Sequence, residues 1–330
     1  MRCSSIDAIL ERVLTSRSTA YHTTKAALTS LNLSSNRLVR MVLPTGWKQG
    51  YDEYDYEVFT HTDGRKQAID PSQPDVRGFS ALADAVPTMG ALLTFNISDN
   101  DLCAAGGKVL AEALKGHPSM TELNIASNSL GQKSATEYAE EDMSGIVAIG
   151  NAIPTMGAIV KVHMSQNKML TEEAGKAMAE ALAANSPLKE LDLSSNNWEH
   201  YEDEWQGDGP EFANELVVGV GAANGALTAV NVLSNDIRAE QANELIALMG
   251  SKPNLRTLCG FSGDETEIDL SDRRLVLGDG VLVANEVPNN GALTSLNLSD
   301  NRLGQYWDAD QNVRIITGLE ALATAVAECK

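Results

Sequence analysis

The stretch LTSLNLSSNRL, Leu28 to Leu38, returns almost letter for letter as LTSLNLSDNRL, Leu293 to Leu303, at the other end of the chain. Between them the same pattern recurs as LLTFNISDNDL from Leu92, MTELNIASNSL from Met120, IVKVHMSQNKM from Ile159, LKELDLSSNNW from Leu188 and LTAVNVLSNDI from Leu227. Written out, the pattern is L-x-x-L-x-L-x-x-N-x-L. An eighth copy, ETEIDLSDRRL from Glu265, has Arg273 where the asparagine belongs, and LRTLCGF from Leu255 reads as a decayed ninth.

These residues resemble the leucine-rich repeat family, and within it the ribonuclease-inhibitor-like branch with repeats of about 28 residues. The resemblance implies an α/β solenoid, a horseshoe with parallel strands on the concave face and helices on the convex face. Ala-rich segments between the strands, such as AAGGKVLAEALKG and TEEAGKAMAEALAAN, have helical spacing. Strands stack about 4.8 Å apart while helices need about 10 Å, so the array must bend with its helices outside. Ile6, Ile9, Leu10, Val13 and Leu14 recur at helical spacing, so residues 1–27 are expected to form an N-terminal cap. Residues 28–330 then form an array of eight or nine repeats, with an insertion at 41–76. The segment NVRIITGLEALATAVAECK, from Asn312, reads as a helix that either caps the array or docks it on something else.

Composition agrees with a thin aliphatic core, since the chain is 43% hydrophobic but only 5% aromatic. Forty-five acidic against 25 basic residues give a formal charge of −20, which repels nucleic acid and anionic lipid and favours cationic protein surfaces. Cys3, Cys103, Cys259 and Cys329 have no close spacing, so neither a zinc site nor a disulfide framework is expected. Free thiols fit a reducing compartment. The first residues have no continuous apolar run, and the expectation is an intracellular, cytoplasmic protein, with an organelle as the alternative because Arg2, Arg12 and Arg17 resemble a transit peptide. No membrane span is expected: the longest uncharged run, Leu216 to Asn235, is broken by Asn and Gly.

Spacing of the repeat asparagines locates the interruptions. Asn36 to Asn100 is 64 residues, and the next intervals are 28, 39, 29 and 39, to Asn128, Asn167, Asn196 and Asn235. Long and short repeats alternate, so a pair of repeats is the unit. Every insertion falls between a repeat asparagine and the next helix, which places all of them on one edge of the horseshoe. Trp47, Trp198, Trp205 and Trp307, all the tryptophans in the chain, lie in these inserts beside acidic runs such as Glu140, Glu141 and Asp142.

Aromatic residues are common interface anchors and acidic neighbours select a basic partner. The candidate protein-binding residues are Trp47, Phe59, Tyr138, Trp198, Tyr201, Trp205, Tyr306 and Trp307. In the alternative reading each tryptophan folds back as a small satellite core.

The segment LPTGW with YEVFTHTDGRKQAIDP, within Leu43 to Pro71, resembles a WW domain. The resemblance implies a clasp between Trp47 and Pro71 and half of a proline-binding groove at Phe59 and His61. Ala68 stands where the groove's second tryptophan would be, so a degenerate hairpin is expected. Asp63-Gly64 between alternating residues independently signals a hairpin turn.

The outward strand column, Asn32, Asn96, Asn124, His163, Asp192, Asn231, Asp269 and Asn297, reads as repeat consensus, with His163 a solvated substitution. No nucleophile, P-loop or zinc-protease motif is present. The expected function is therefore a non-enzymatic protein-binding scaffold or subunit of a larger complex, without cofactor or metal. Two alternatives are a regulator of a Ran-like small GTPase, whose activating proteins share this repeat type, and a proline-rich-peptide adaptor through the WW-like insertion.

Overall fold

The computed structural model describes residues 28–42, 47–51, 57–63, 65–67, 73–135, 139–169, 171–184, 187–196, 211–223, 225–303, 306–308, 313–315 and 317–328. The expected cap at 1–27 lies outside them. The array opens with β1 (Ser30–Asn32), followed by the first insert with β2 (Arg40–Val42), β3 (Trp47–Tyr51), β4 (Glu57–His61), β5 (Lys66–Gln67) and β6 (Gln73–Asp75), and then α1 (Arg77–Ala83). Strands and helices then alternate: β7 (Thr94–Asn96), α2 (Cys103–Leu114), β8 (Glu122–Asn124), α3 (Ser144–Ala152), β9 (Lys161–His163) and α4 (Glu172–Ala184). They continue through β10 (Glu190–Asp192), α5 (Glu211–Ala222), β11 (Ala229–Asn231), α6 (Ala239–Ser251), β12 (Glu267–Asp269), α7 (Leu277–Glu286) and β13 (Ser295–Asn297). The last elements are β14 (Tyr306–Asp308), β15 (Val313–Ile315) and α8 (Thr317–Glu328).

The repeat strands β1, β7, β8, β9, β10 and β11 form one parallel sheet in that order. Their register aligns equivalent repeat positions, so Phe95 lies opposite Leu123 and Leu123 opposite Val162. Apolar positions of the motif point to one side: Met120, Leu123, Ile125 and Leu130 are all fully buried, as are Ile159, Val162, Met164 and Met169. That stripe packs against the helix layer, where neighbours approach closely because small residues meet. A Cβ on Gly107 of α2 would fall 2.9 Å from the Gly145 backbone of α3.

The motif asparagine holds the turn that leaves each strand. Asn128 donates from Nδ2 to the carbonyls of Ile125 and Ala126 in its own turn and to Ile97 in the preceding repeat. Its Oδ1 accepts the backbone N–H of Asn100 at 3.1 Å, and its own N–H donates to Asn167 at 3.1 Å. Asn36, Asn100, Asn128, Asn167, Asn196 and Asn235 form one continuous chain of such bonds. Residues on either side of the asparagine, such as Asp99 and Asp101 or Gln166 and Lys168, have φ between 53° and 61°. A positive φ at a residue with a side chain costs of order 1 kcal/mol or more, and the asparagine bonds offset it at each turn.

The outward column has its own local role. Asn32, Asn96, Asp192, Asp269 and Asn297 each accept the backbone N–H two residues on, closing the strand end. Those side chains are spent on the backbone, as the consensus reading expects.

Order breaks between β11 and β12. Thr257 and Cys259 of the decayed repeat form only isolated bridges to Ala229 and Asn231, and β12 pairs with β13 in a separate two-stranded sheet. The chain leaves at Gly260, where φ is +77° and a Cβ would meet the Asn231 side chain at 3.1 Å. The C-terminal segment also departs from expectation. Val313–Ile315 is a strand paired antiparallel with Tyr306–Asp308, and only from Thr317 does the chain become helical. Val313, Ile315 and Ile316 are β-branched, and the facing Tyr306 and Trp307 are strand formers, so pairing outweighs the helical continuation. Helix α8 packs on α7, with Leu322 and Ala325 buried while Leu319 and Val326 stay exposed.

Because the Asn167 side chain is fully buried and bonds both its own turn and the preceding repeat, Asn167→Ala is expected to cost about 3 kcal/mol of unfolding free energy. Asn36 is exposed at the end of the ladder and its side chain bonds only its own turn, at the Leu33 and Ser34 carbonyls, so Asn36→Ala is expected to cost about 1 kcal/mol. Urea titrations followed by circular dichroism measure both; equal losses would show that the ladder does not act cooperatively.

Candidate binding edge

Three described inserts share one construction, a pair of antiparallel segments that begins just after a repeat asparagine and returns to the next helix. After Asn36 the stem is β2 with β6, carrying the meander β3, β4 and β5 at its far end. After Asn128 the stem is closed by a bridge between Gln132 and Glu141 and by the bonds Lys133 N–H to Glu140 O and Asp142 N–H to Gly131 O. After Asn301 it is β14 with β15. The common origin puts these inserts at equivalent positions of the repeat.

In the meander, Trp47 of β3 pairs with His61 of β4, and Phe59 pairs with Gln49 on one side and Gln67 on the other. Tyr306 and Trp307 lie opposite Ile315 and Arg314. Tyr138, Trp198, Tyr201 and Trp205 lie outside the described residues, as do Pro71 and Ala68. Of the eight candidate residues, four are thus placed on strands of two separate inserts. Their strand pairing is given by these registers.

The second insert is anchored tightly at its base. Gly131 donates its N–H to the Asn167 carbonyl, and a Cβ there would sit 1.9 Å from the Lys168 carbonyl oxygen. At the return, Asp142 accepts the N–H and hydroxyl of Ser144, capping the approach to α3. Burial pushes the Asp142 carboxyl up, but the Ser144 bonds, with Lys108 and Lys133 nearby, outweigh it and hold the group below its ordinary value.

Beside this stem runs a cleft lined by Glu141 and Asp142 from the insert, Glu172 and Glu173 at the start of α4, and Glu211 at the start of α5. Among the described residues Lys133 is its one cationic lining residue, and its ammonium is ion-paired to Glu140. The same ion pair raises the Lys133 pKa, so the lysine stays charged but engaged. Carboxylates are favoured at helix N-termini by the backbone dipoles, which explains how three of the five come to converge there. Segment 197–210, with Trp198, Tyr201 and Trp205, lies outside the described residues.

Glu172, Glu173 and Glu211 were not among the residues singled out from sequence. They belong to helices rather than inserts, and only the stacking of α3, α4 and α5 brings them to the insert edge. The readable signal was the acidic start of each helix. His163 also differs from a freely solvated substitution. Its Nδ1 lies 3.8 Å from Asp192 and its Nε2 4.0 Å from Glu122, beside a Lys161 to Glu190 ion pair of 2.8 Å.

Among the described residues no group of His, Cys, Asp and Glu could hold a metal ion, and no helix is long and apolar enough to cross a membrane. Cys103 and Cys259 are buried free thiols; burial pushes Cys103 up to about 12 and Cys259 well above the ordinary thiol value.

A family model described as leucine-rich repeat matches residues 184–197, the turn and strand of β10 with Asn196. Together with the parallel sheet, the helix layer and the asparagine ladder, this makes the fold a leucine-rich-repeat solenoid. Among solved structures, the chain is similar to the leucine-rich repeat-containing protein LegL7 from Legionella pneumophila, at 17% identity over 85% of this chain and 68% of that one, with a TM-score of 0.38. It is also similar to the tropomodulin C-terminal domain of Caenorhabditis elegans, at 8% identity over 66% of this chain and 89% of that one, with a TM-score of 0.32. No curated protein matches the chain in sequence.

Gly131→Ala is expected to destabilise the protein by about 2 kcal/mol, because the added methyl cannot share space with a backbone carbonyl. Gly157→Ala, where a Cβ meets nothing within 4 Å, is the control and should change little. Thermal melts of both variants measure the difference.

Proposed function

We propose that this solenoid holds a protein partner with a basic surface along its insert edge, as a scaffold or as a subunit of a larger complex. The observation that carries the reading is the cleft of five carboxylates beside the second insert, where, among the described residues, Lys133 is the one lining cation and is already paired to Glu140, and of the five acids Glu172 is paired to Lys176. A carboxylate cluster of this kind speeds the encounter with a cationic partner and discourages anionic ones. The inserts of the chain carry Trp, Tyr and Phe in their sequences, residue types that anchor interfaces. Leucine-rich-repeat proteins as a class bind other proteins, which agrees with this assignment.

Two variants test it, each first shown to be folded by circular dichroism. The first changes Glu172, Glu173 and Glu211 to Lys; the second changes Trp198, Trp205 and Trp307 to Ala. Pull-down with wild type is expected to recover a stoichiometric partner that both variants lose. Its affinity should fall at least about tenfold between roughly 0.05 M and 0.5 M salt, as screening predicts for exposed charges. A partner retained by both variants, or one insensitive to salt, would rule out the insert edge.

A further inference from the structure

Among the described residues, the last repeat leaves one side of its helix and one edge of its strand uncovered. Helix α7 lies between α6 and α8 and buries every residue from Gly278 to Ala284. Helix α8 packs on α7, and no described helix lies on its other side. About a quarter turn around α8 from the buried Gly318, Leu322 and Ala325 stand Leu319, Ala323 and Val326, all exposed. They recur at i, i+4 and i+7, which makes a second apolar stripe on one helix. Inner helices show charge at such positions: α2 exposes Lys108, Glu112 and Lys115, and α4 exposes Glu172, Lys176 and Glu180.

The sheet ends in the same way, since β13 pairs with β12 alone. Thr294 and Ser295 donate to the Thr266 carbonyl and the Asn297 carbonyl accepts the Leu270 N–H, so these groups face β12. Backbone groups alternate in direction along a strand, which turns the N–H and carbonyl of Leu296 to the open edge. The repeat frame adds the Leu298 N–H and the Thr294 carbonyl. Their equivalents bond the following repeat elsewhere: Ile97 donates to the Asn124 carbonyl, and the Leu93 carbonyl accepts Thr121 and Glu122. Leu293, Leu296 and Leu298 are only partly buried, whereas their equivalents Met120, Leu123 and Ile125 are fully buried.

We propose that a second copy of this chain covers this face, related by a two-fold axis perpendicular to the sheet. A copy is singled out because the face is its own complement, as a two-fold interface requires. Turned about the axis, β13 meets its copy antiparallel. The Leu296 groups bond each other across the axis, and each Leu298 N–H reaches the other copy's Thr294 carbonyl. Behind the strands the two α8 helices cross antiparallel at the small Ala323, which sets Leu319 of each copy against Val326 of the other. Charge points to the same occupant. With a formal −20, two copies can meet only through a face with few charges; residues 293–299 carry none, and 318–327 carry Glu320 alone. A cationic partner finds little to hold here, which separates this face from the acidic insert edge.

Sedimentation velocity of the full chain from about 1 to 100 µM reads the association, which mass action makes concentration-dependent. One helix and one strand edge from each copy make a small interface, so a dimer with a dissociation constant of about 10 µM is expected. Leu319→Lys with Val326→Lys should weaken it at least about tenfold, because both ammonium groups would be buried against apolar side chains. The lysines lower the net negative charge, so general repulsion cannot account for the loss. Val218→Lys, at an apolar residue of α5 that is 58% exposed, is the control and should leave the dimer unchanged. In Ala323→Cys, a short bismaleimide should join position 323 of one copy to position 323 of the other, identified by peptide mass spectrometry. A monomer at about 100 µM would overturn the proposal, as would a dimer indifferent to the paired lysines or one without the 323 to 323 link. Should the lysine variant fail to fold by circular dichroism, the link at position 323 decides alone.

Discussion

One buried amide holds each turn of this protein to the next. The motif asparagine must satisfy its own turn, reach back to the preceding repeat and receive the backbone of that repeat's asparagine, and no apolar residue can do any of these. Around it the backbone takes positive φ at residues such as Asp99, Ser127 and Lys168 that carry side chains, a conformation that only an over-determined site sustains. With the turn fixed, the strand before it is held in register and its apolar positions face the helices. The sheet, the core and the direction in which inserts leave all follow from that bond set.

The same constraint explains the division of labour along the chain. Between the asparagine and the next helix the chain is free to lengthen, because the ladder is already closed behind it and the helix re-enters the stack ahead. Intervals of 28 and 29 residues become 39 or 64 by growth at that one point. Stems such as Gln132 with Glu141, or β2 with β6, then return the chain without disturbing the frame. Variation in charge and aromatic content can collect on one edge while the buried stripe stays aliphatic.

Much of this was legible in sequence, because a motif with a fixed asparagine and fixed apolar spacings leaves few ways to pack. The repeat strands, the helices between them, the place of the described inserts and the defect at Arg273 could be read from it. What could not be read depends on neighbours far apart in the chain. Glu172, Glu173 and Glu211 begin ordinary amphipathic helices, and only the helix stack turns them into one acidic wall beside Glu141 and Asp142. Asp279 and Glu286 look like solvent-facing acids of a surface helix, yet both are buried, since the decayed repeat leaves backbone N–H groups that need acceptors. The strand at Val313–Ile315 escaped notice for a similar reason: its partner, Tyr306–Asp308, lies across an acidic loop that masks the pairing.

The proposed function divides the protein into a structural frame and a partner-binding edge. Mapping a bound partner onto the chain by cross-linking with mass spectrometry tests that division most directly. Cross-links are predicted to gather on 131–142, on the starts of α4 and α5, and on 197–210. Cross-links gathered instead around Lys161 and the outward strand positions, with the inserts untouched, would contradict it.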